Sequence, residues 1–221
     1  KSYAACGGVI WDSKNILSAS HCFLQCKGGK TKAAKKVTYC VGEHNTKKKD
    51  GEKCFDAAKW INHHGYKPCS KHFKNDITVV KMKKPLKLPG LKKGAGSINS
   101  ACHPTNSLKP KTVTLSGWGR TSRKSTSGSN VLKTINLPVW TTKKCKKKWP
   151  KVDNSQICVG GVANQNSCQG DSGGPIVAMK GGKAYVVGLS SFGPTPCAKK
   201  GWPNVFTRIA HFNSWIKQKT R

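Results

Sequence analysis

Eleven cysteines are spread along almost the whole of this 221-residue chain, and they restrict the folds that it can adopt. They stand at positions 6, 22, 26, 40, 54, 69, 102, 145, 158, 168 and 197. No pair has the CxxC spacing of zinc ribbons and redox motifs. Cysteines at such wide spacing favour disulfide bonds, and therefore an oxidising compartment. Their number is odd, so at least one of them lacks a partner within the chain.

The chain is strongly basic, with a formal net charge of +33 from 41 basic and 8 acidic residues. Thirty-seven of the basic residues are lysine and four are arginine. Such a charge attracts heparin-like polyanions, nucleic acids and anionic membranes, although it also suits a solvated surface that keeps the protein in solution. The scarcity of arginine argues against sequence-specific nucleic-acid binding. No apolar run has the length of a transmembrane segment.

The apolar segments are short, rich in Val, Ile and Thr, and bounded by Gly, Pro, Asn or Lys, which predicts a sandwich or barrel of β-strands. One segment differs, because apolar residues at helical spacing predict a short amphipathic C-terminal helix within 209–221. The Pro, Gly and Lys content of residues 86–99 is typical of a linker. We therefore expect one domain over residues 1–95 and a second over residues 96–221.

A reactive serine is indicated by the stretch NSCQGDSGGP, residues 166–175. The hydroxyl of Ser172 is a poor nucleophile unless a base takes its proton and a carboxylate holds that base in the correct tautomer. His21 is a candidate base, because it follows an apolar segment and a disulfide at the adjacent Cys22 would fix its backbone. Asp76, which opens the apolar segment NDITVVKM, is a candidate for the carboxylate. The sequence therefore predicts a Ser-His-Asp triad.

The segments LSASHC, NDITVVKM and SCQGDSGGP, in this order, resemble the trypsin/chymotrypsin family of serine proteases. The resemblance runs from Cys6 to the C-terminus and includes CGGVI, VGEHN, LSGWGRT, GLSSFG, WPNVFTR and SWIKQ. It implies an all-β fold of two antiparallel six-stranded β-barrels packed together, with a short C-terminal α-helix. The first barrel is expected to be incomplete at its start, because the sequence begins just before CGGVI.

The resemblance also implies the role of each catalytic residue. Ser172 matches the nucleophile, His21 the general base and then acid, and Asp76 the group that orients His21. The backbone N–H groups of Gly170 and Ser172 match the oxyanion hole, which stabilises the tetrahedral intermediate.

Substrate binding is assigned through the same resemblance. Ser191, Phe192 and Gly193 match the strand that pairs with the substrate. Trypsin-like members carry Asp six residues before the nucleophile, where this chain has Asn166, so a charge-based preference for Lys or Arg is not expected. Asn204 stands where a glycine usually lines the opposite wall, and its side chain would narrow the pocket or add a polar contact. We expect a substrate preference that is chymotrypsin-like, elastase-like or particular to this protein. The positive net charge favours acidic substrates.

Two residues point to a segment outside the sequence. In the family, the residue that matches Asp171 forms a buried salt bridge with the α-amino group that activation cleavage creates. Without that amine, Asp171 would be unpaired and the site would be zymogen-like, since burial of an unpaired carboxylate is costly. Cys102 matches a cysteine that binds a cleaved N-terminal peptide in chymotrypsin-like members. We therefore expect an N-terminal peptide or light chain as a disulfide-linked partner.

The remaining cysteines divide into two groups. The resemblance implies three disulfides, namely Cys6–Cys22, Cys145–Cys158 and Cys168–Cys197. Four others are expected to form two bridges near the rim of the active site, in a pairing that the sequence leaves open: Cys26, Cys40, Cys54 and Cys69.

A calcium site is suggested by the stretch GEHNTKKKDGE, which resembles the calcium loop of the family. Three of the eight acidic residues lie in it, namely Glu43, Asp50 and Glu52, and carboxylate oxygens suit a hard cation. Glu52 is one position away from its expected place, and the three lysines of the loop could neutralise the acids instead. No cofactor is expected to be required.

These features predict a secreted or granule-stored, cationic serine endopeptidase that hydrolyses proteins or peptides through an acyl-enzyme. The alternative is a catalytically weak or inactive polyanion-binding or antimicrobial protein on the same fold. The presence of all three triad residues favours the enzyme.

Overall fold

The computed structural model describes residues 5–88, 97–121, 125 and 127–221, and most of its regular structure is β-strand. The first half contains β1 (Val9–Ile10), β2 (Asn15–Ser18), β3 (Leu24–Lys27), β4 (Lys30–Ala33), β5 (Thr38–Val41), β6 (Lys53–Asn62) and β7 (Thr78–Met82). The second half contains β8 (Thr112–Gly117), β9 (Lys133–Trp140), α1 (Thr142–Lys146), β10 (Gln156–Gly160), β11 (Pro175–Lys180), β12 (Lys183–Phe192), β13 (Pro203–Arg208) and α2 (Asn213–Thr220).

The second half forms a closed antiparallel barrel in the strand order β10-β13-β12-β11-β8-β9. The barrel closes because β9 pairs with β8 on one side and with β10 on the other. Alternating side chains of these strands fill its interior, as period-2 patterning requires. The buried core includes Val113, Leu115, Leu137, Ile157 and Phe206.

The first half is an open sheet in the order β1-β2-β7-β6-β5, and β3 and β4 form a separate hairpin. The all-β class, the two-part strand architecture and the C-terminal helix predicted from the sequence are confirmed. The strand count differs in the first half, where five strands rather than six pair within the described sheet. Burial explains the difference, because β4 is exposed along its whole length and offers no apolar face to the sheet.

The two halves share an apolar core at their junction. Leu17 and Val79 from the first sheet pack in one buried cluster with Leu189 of the barrel and Ile216 of α2. Strand β2, which precedes His21, and strand β7, which follows Asp76, are thereby fixed against the barrel. The boundary predicted between residues 95 and 96 lies outside the described residues and stays a prediction.

The C-terminal helix begins later than its sequence pattern suggested. Ile209–Phe212 form a 3₁₀ turn, and α2 follows from Asn213 to Thr220. The sequence did not predict α1, a five-residue helix whose first turn is capped by Thr141, with its hydroxyl oxygen accepting from Lys144 N at 3.2 Å. Among the described residues, neither helix is long and apolar enough to cross a membrane.

Candidate active site

His21 lies in a 3₁₀ turn, Ser20–Cys22, directly after β2. The buried hydroxyl of Ser20 donates to the carbonyl oxygen of Ile77 at 2.7 Å, which ties this turn to the start of β7. Cys22 is bonded to Cys6, so the backbone on the other side of His21 is fixed as well. The imidazole is therefore held on a rigid support rather than on a free loop.

Asp76 is fully buried beside this turn and accepts three hydrogen bonds through its carboxylate. The backbone N–H of His21 donates to Oδ1 at 2.9 Å, and Nδ1 of His21 lies 2.7 Å from Oδ2. The hydroxyl of Ser191, from β12 of the barrel, donates to Oδ2 at 2.6 Å. Because Nδ1 faces a carboxylate, the proton of neutral His21 belongs on Nδ1, and the lone pair of Nε2 is left to accept a proton.

The pKa of His21 is raised above the ordinary value of imidazole. Burial disfavours the charged ring, but the negative charge of Asp76 and its hydrogen bond together outweigh that cost. His21 is therefore a stronger base than a free histidine, and it is neutral only above its raised pKa.

Ser172 lies in the loop between β10 and β11, and the backbone of this loop contacts two segments that precede the His21 turn. The N–H of Gly7, next to the Cys6–Cys22 disulfide, donates to the carbonyl oxygen of Ser172 at 2.7 Å. Gly173 packs so closely on Ser18 that a Cβ atom added to Gly173 would overlap the Ser18 hydroxyl. The hydroxyl of Ser172 makes no hydrogen bond to another described residue, which leaves it open, and such contacts often tighten only when substrate binds.

Two backbone donors of the Ser172 loop, predicted to form the oxyanion hole, have no acceptor among the described residues. Within the described part of the chain, the N–H groups of Gly170 and Ser172 donate to no acceptor. Gly170 has a φ of +102°, a conformation that glycine adopts without strain. The pair is therefore available to a substrate oxygen, as the oxyanion-hole prediction requires.

Asp171, next to Ser172 in the chain, is buried and only 8% exposed. The N–H of Gly119 donates to its Oδ1 at 2.8 Å, and the N–H of Cys168 donates to its Oδ2 at 3.0 Å. Burial raises the pKa of this carboxyl more than the two N–H donors lower it. No cation among the described residues forms an ion pair with it. A cavity of about 490 Å³ lies beside it, lined in part by Leu115, Ile135 and Asn166.

Five disulfides are formed, and three of them are the pairs that the resemblance implies: Cys6–Cys22, Cys145–Cys158 and Cys168–Cys197. The two pairs that the sequence left open are Cys26–Cys69 and Cys40–Cys54. Cys26–Cys69 ties the β3–β4 hairpin to the segment that leads to Asp76. Cys40–Cys54 joins register partners on β5 and β6. Cys102 is a free thiol of intermediate exposure.

The residues predicted to bind substrate lie on strands of the barrel and on the loop before Ser172. Ser191 and Phe192 end β12, and Asn204 lies within β13. Phe192 stacks on Phe73 at a centroid distance of 5.5 Å, and Phe73 meets His21 edge-on at 5.8 Å. Sequence reasoning missed Phe73, although its position three residues before Asp76 was a signal that it would lie near the site.

The predicted calcium loop meets only part of what a calcium site requires. Glu43 Oε1 and Asp50 Oδ1 are buried without a hydrogen-bond partner, which a cation could satisfy. However, Glu52 accepts the N–H of Asp50 at 2.9 Å, and the described residues contain no group of three or more His, Cys, Asp or Glu that could hold a metal. The three acids do not form a calcium cage, and calcium binding stays a prediction.

The structure thus combines a two-part β architecture with a His21–Asp76 pair whose carboxylate is buried. The sequence model of the family described as Trypsin matches residues 1–216, so the chain belongs to the trypsin family of serine proteases. It is 32% identical to the Spaetzle-processing enzyme of Drosophila melanogaster, over 97% of this chain and 58% of that protein. It is 33% identical to Trypsin I-P1 of Gallus gallus, over 97% of this chain and 79% of that protein. The CLIP domain-containing serine protease HP8 of Bombyx mori is 30% identical, over 97% of this chain and 61% of that protein.

Proposed function

We propose that this chain is an active, secreted or granule-stored serine endopeptidase that cleaves proteins or peptides through an acyl-enzyme. The observation that carries the proposal is the buried carboxylate of Asp76, which holds Nδ1 of His21 at 2.7 Å and leaves Nε2 free. Its five disulfides support an oxidising, extracytosolic compartment.

In the first half of the reaction, Ser172 Oγ attacks the carbonyl carbon of the substrate while Nε2 of His21 takes the hydroxyl proton. The oxygen that becomes negative accepts hydrogen bonds from the free N–H groups of Gly170 and Ser172. The intermediate collapses when His21 gives its proton to the leaving amine. Asp76 stays ionised and stabilises the imidazolium throughout.

In the second half, a water molecule replaces the amine, and His21 takes a proton from it. The hydroxide attacks the ester carbonyl of acylated Ser172, and the same two N–H groups hold the oxygen. Transfer of the proton from His21 to Ser172 Oγ releases the carboxylic acid product and restores the free enzyme.

The pH dependence of turnover tests the role of His21. We expect kcat/KM for a peptide substrate to rise with pH along a single ionisation, because only neutral His21 can accept the serine proton. The midpoint should lie above the ordinary imidazole value, since Asp76 raises the pKa of His21. A profile that follows a carboxyl ionisation near pH 4, or that shows no ionisation, would contradict this assignment.

Asp171 supports a further part of the proposal, namely that an α-amino group activates the enzyme. Its carboxylate is buried, has two N–H donors and borders the 490 Å³ cavity. An ammonium group in that cavity would offset the cost of burying the charge and would lower the pKa of Asp171. The loop that carries Gly170 and Ser172 would then be stabilised in its present form.

An added peptide tests this activation directly. We expect the peptide Ile-Val-Gly-Gly to raise the activity of the 1–221 chain by at least about tenfold, because its free amine can pair with Asp171. The N-acetylated peptide is the matched control and should have no effect. If both peptides act equally, or if the Asp171→Asn variant responds as the original does, the carboxylate does not receive the amine.

Cys102 is a proposed attachment point for an N-terminal peptide or light chain. It is the free cysteine among the described residues, and it pairs in a β-bridge with Tyr185 at the side of the barrel. Because the thiol is partly exposed, a cysteine on another segment can reach it without unfolding the barrel. Intermolecular disulfide formation needs this kind of access.

Polyanion binding is a second proposed role, and the surface around α1 favours it. Lys144 lies over the ring of Trp140 at 4.0 Å, and Lys148 and Lys199 lie over Trp202 at 5.2 and 4.9 Å. These contacts hold three ammonium groups in place on aromatic rings, where they are available to an anionic chain. Sulfated, heparin-like chains are the polyanions expected there, as an addition to proteolysis rather than a replacement.

A further inference from the structure

Two amide side chains, those of half-buried Asn166 and buried Asn204, each carry a buried polar atom and are among the residues proposed to bind substrate. Asn204 lies in β13 and is only 4% exposed. Its amide packs so closely on Gly193 that a Cβ on that glycine would overlap it. Asn166, six residues before Ser172, packs in the same manner against Gly160. The two amides are close to each other because both are hydrogen-bonded to Ser167.

Ser167 links the two amides and fixes their orientations. The backbone N–H of Ser167 donates to Oδ1 of Asn166 at 3.1 Å. Nδ2 of Asn204 donates to the carbonyl oxygen of Ser167 at 3.0 Å. A backbone N–H can only donate and a carbonyl oxygen can only accept, so neither amide can be reversed without loss of its hydrogen bond.

One polar atom of each amide is left over. Nδ2 of Asn166, a donor, and Oδ1 of Asn204, an acceptor, are both buried without a hydrogen-bond partner among the described residues. Buried polar atoms are rarely left unpaired in proteins, because each loses its hydrogen bond to water without replacement. A free donor and a free acceptor on either side of Ser167 are therefore complementary to a group that carries one of each.

We propose that this pair of amides selects substrates with a primary carboxamide, Asn or Gln, as the residue before the scissile bond. This inference rests on the proposed peptidase function and names its substrate class. The carboxamide oxygen accepts from Asn166 Nδ2, and its NH₂ group donates to Asn204 Oδ1.

Other substrate side chains pair less well with the two free amide atoms. Lysine or arginine can donate to Asn204 but leaves the Asn166 donor unpaired. The carboxylate of a substrate Asp or Glu can accept from Asn166 Nδ2 but is repelled by Asn204 Oδ1. Leucine and methionine, which have nearly the shapes of Asn and Gln, leave both atoms unpaired. The Asn204 side chain also occupies the space beside Gly193, which disfavours a large aromatic ring.

A library of fluorogenic peptides that differ only in this residue tests the proposal on the active full-length protein. We expect kcat/KM to be at least about 100-fold higher for Asn or Gln than for the isosteric Leu, Met, Asp and Glu, because unpaired polar atoms penalise the analogues. Equal or better cleavage after Leu, Tyr, Lys or Arg would overturn the carboxamide preference.

The Asn166→Asp variant gives a second test through a change of specificity. A carboxylate in place of the free donor should repel the carboxamide oxygen and move the preference at least about tenfold towards Lys and Arg. Asn136→Asp, on the exposed side of β9, is the matched control and should leave the profile unchanged. If Asn166→Asp folds, is active and retains the original profile, the Asn166 amide faces the Asp171 cavity rather than the substrate, and the proposal is wrong.

Labelling of Ser172 by a fluorophosphonate separates this proposal from the function on which it rests. A protein that is labelled but shows no carboxamide preference overturns the specificity and leaves the peptidase function intact. A folded full-length protein that is neither labelled nor active overturns both.

Discussion

Replacement of Ser172 by alanine is expected to lower kcat by about 10⁶-fold, the size of loss found when the nucleophile of a catalytic triad is removed. The change deletes only a hydroxyl that makes no hydrogen bond to another described residue, so the fold and the oxyanion donors should survive. Peptide hydrolysis measured with the full-length protein, together with its melting temperature, checks both parts of this expectation.

The control for this variant is Ser107→Ala, which removes an exposed hydroxyl far along the chain from the proposed nucleophile. It should retain full activity. If Ser172→Ala keeps more than a few per cent of the original kcat, another group is the nucleophile and the proposed mechanism is wrong.

Replacement of Asp76 by asparagine is expected to lower kcat by about 10⁴-fold, the loss known for this change in the Ser-His-Asp template of the family. The buried carboxylate accepts from two N–H groups of His21 and from Ser191. An amide offers only one oxygen, so its NH₂ group would face a donor or force His21 into the tautomer with the proton on Nε2. KM should change little, because Asp76 does not touch the substrate.

The pH profile distinguishes this role from a merely structural one. Asp76 raises the pKa of His21, so the residual activity of Asp76→Asn should reach its plateau at a lower pH than that of the original enzyme. Asp56→Asn is the matched control, since Asp56 is a partly exposed acid that pairs with Lys36 and Lys83. A large loss of activity in the control, or an unshifted profile in Asp76→Asn, would contradict the proposed role.

The sequence predicted the fold and the candidate triad because their signals are local. Short apolar segments rich in β-branched residues predicted strands, and the motifs around His21, Asp76 and Ser172 indicated the family. The three residues are separated by up to 151 positions, yet Nδ1 of His21 lies 2.7 Å from Oδ2 of Asp76. The carbonyl oxygen of Ser172 accepts from Gly7, next to the disulfide that fixes the turn of His21.

Other features depended on contacts that no local pattern encodes. The Cys26–Cys69 and Cys40–Cys54 pairs follow from the path of the β3–β4 hairpin and from the register of β5 on β6. The fixed orientation of the Asn204 amide depends on the backbone of Ser167, 37 residues earlier in the chain. The sequence raised the choice between a narrowed and a more polar substrate pocket at Asn204, and this choice stays a prediction.

The single most direct test of the central claim is covalent labelling of the full-length protein with a fluorophosphonate, followed by peptide mass spectrometry. A reactive serine must have both a base and an oxyanion hole in place, so only an assembled site reacts rapidly. We predict stoichiometric labelling of Ser172, with no labelling in Ser172→Ala and greatly slowed labelling in Asp76→Asn. Failure of the folded, activated protein to react at Ser172 would contradict the assignment of this chain as an active serine peptidase.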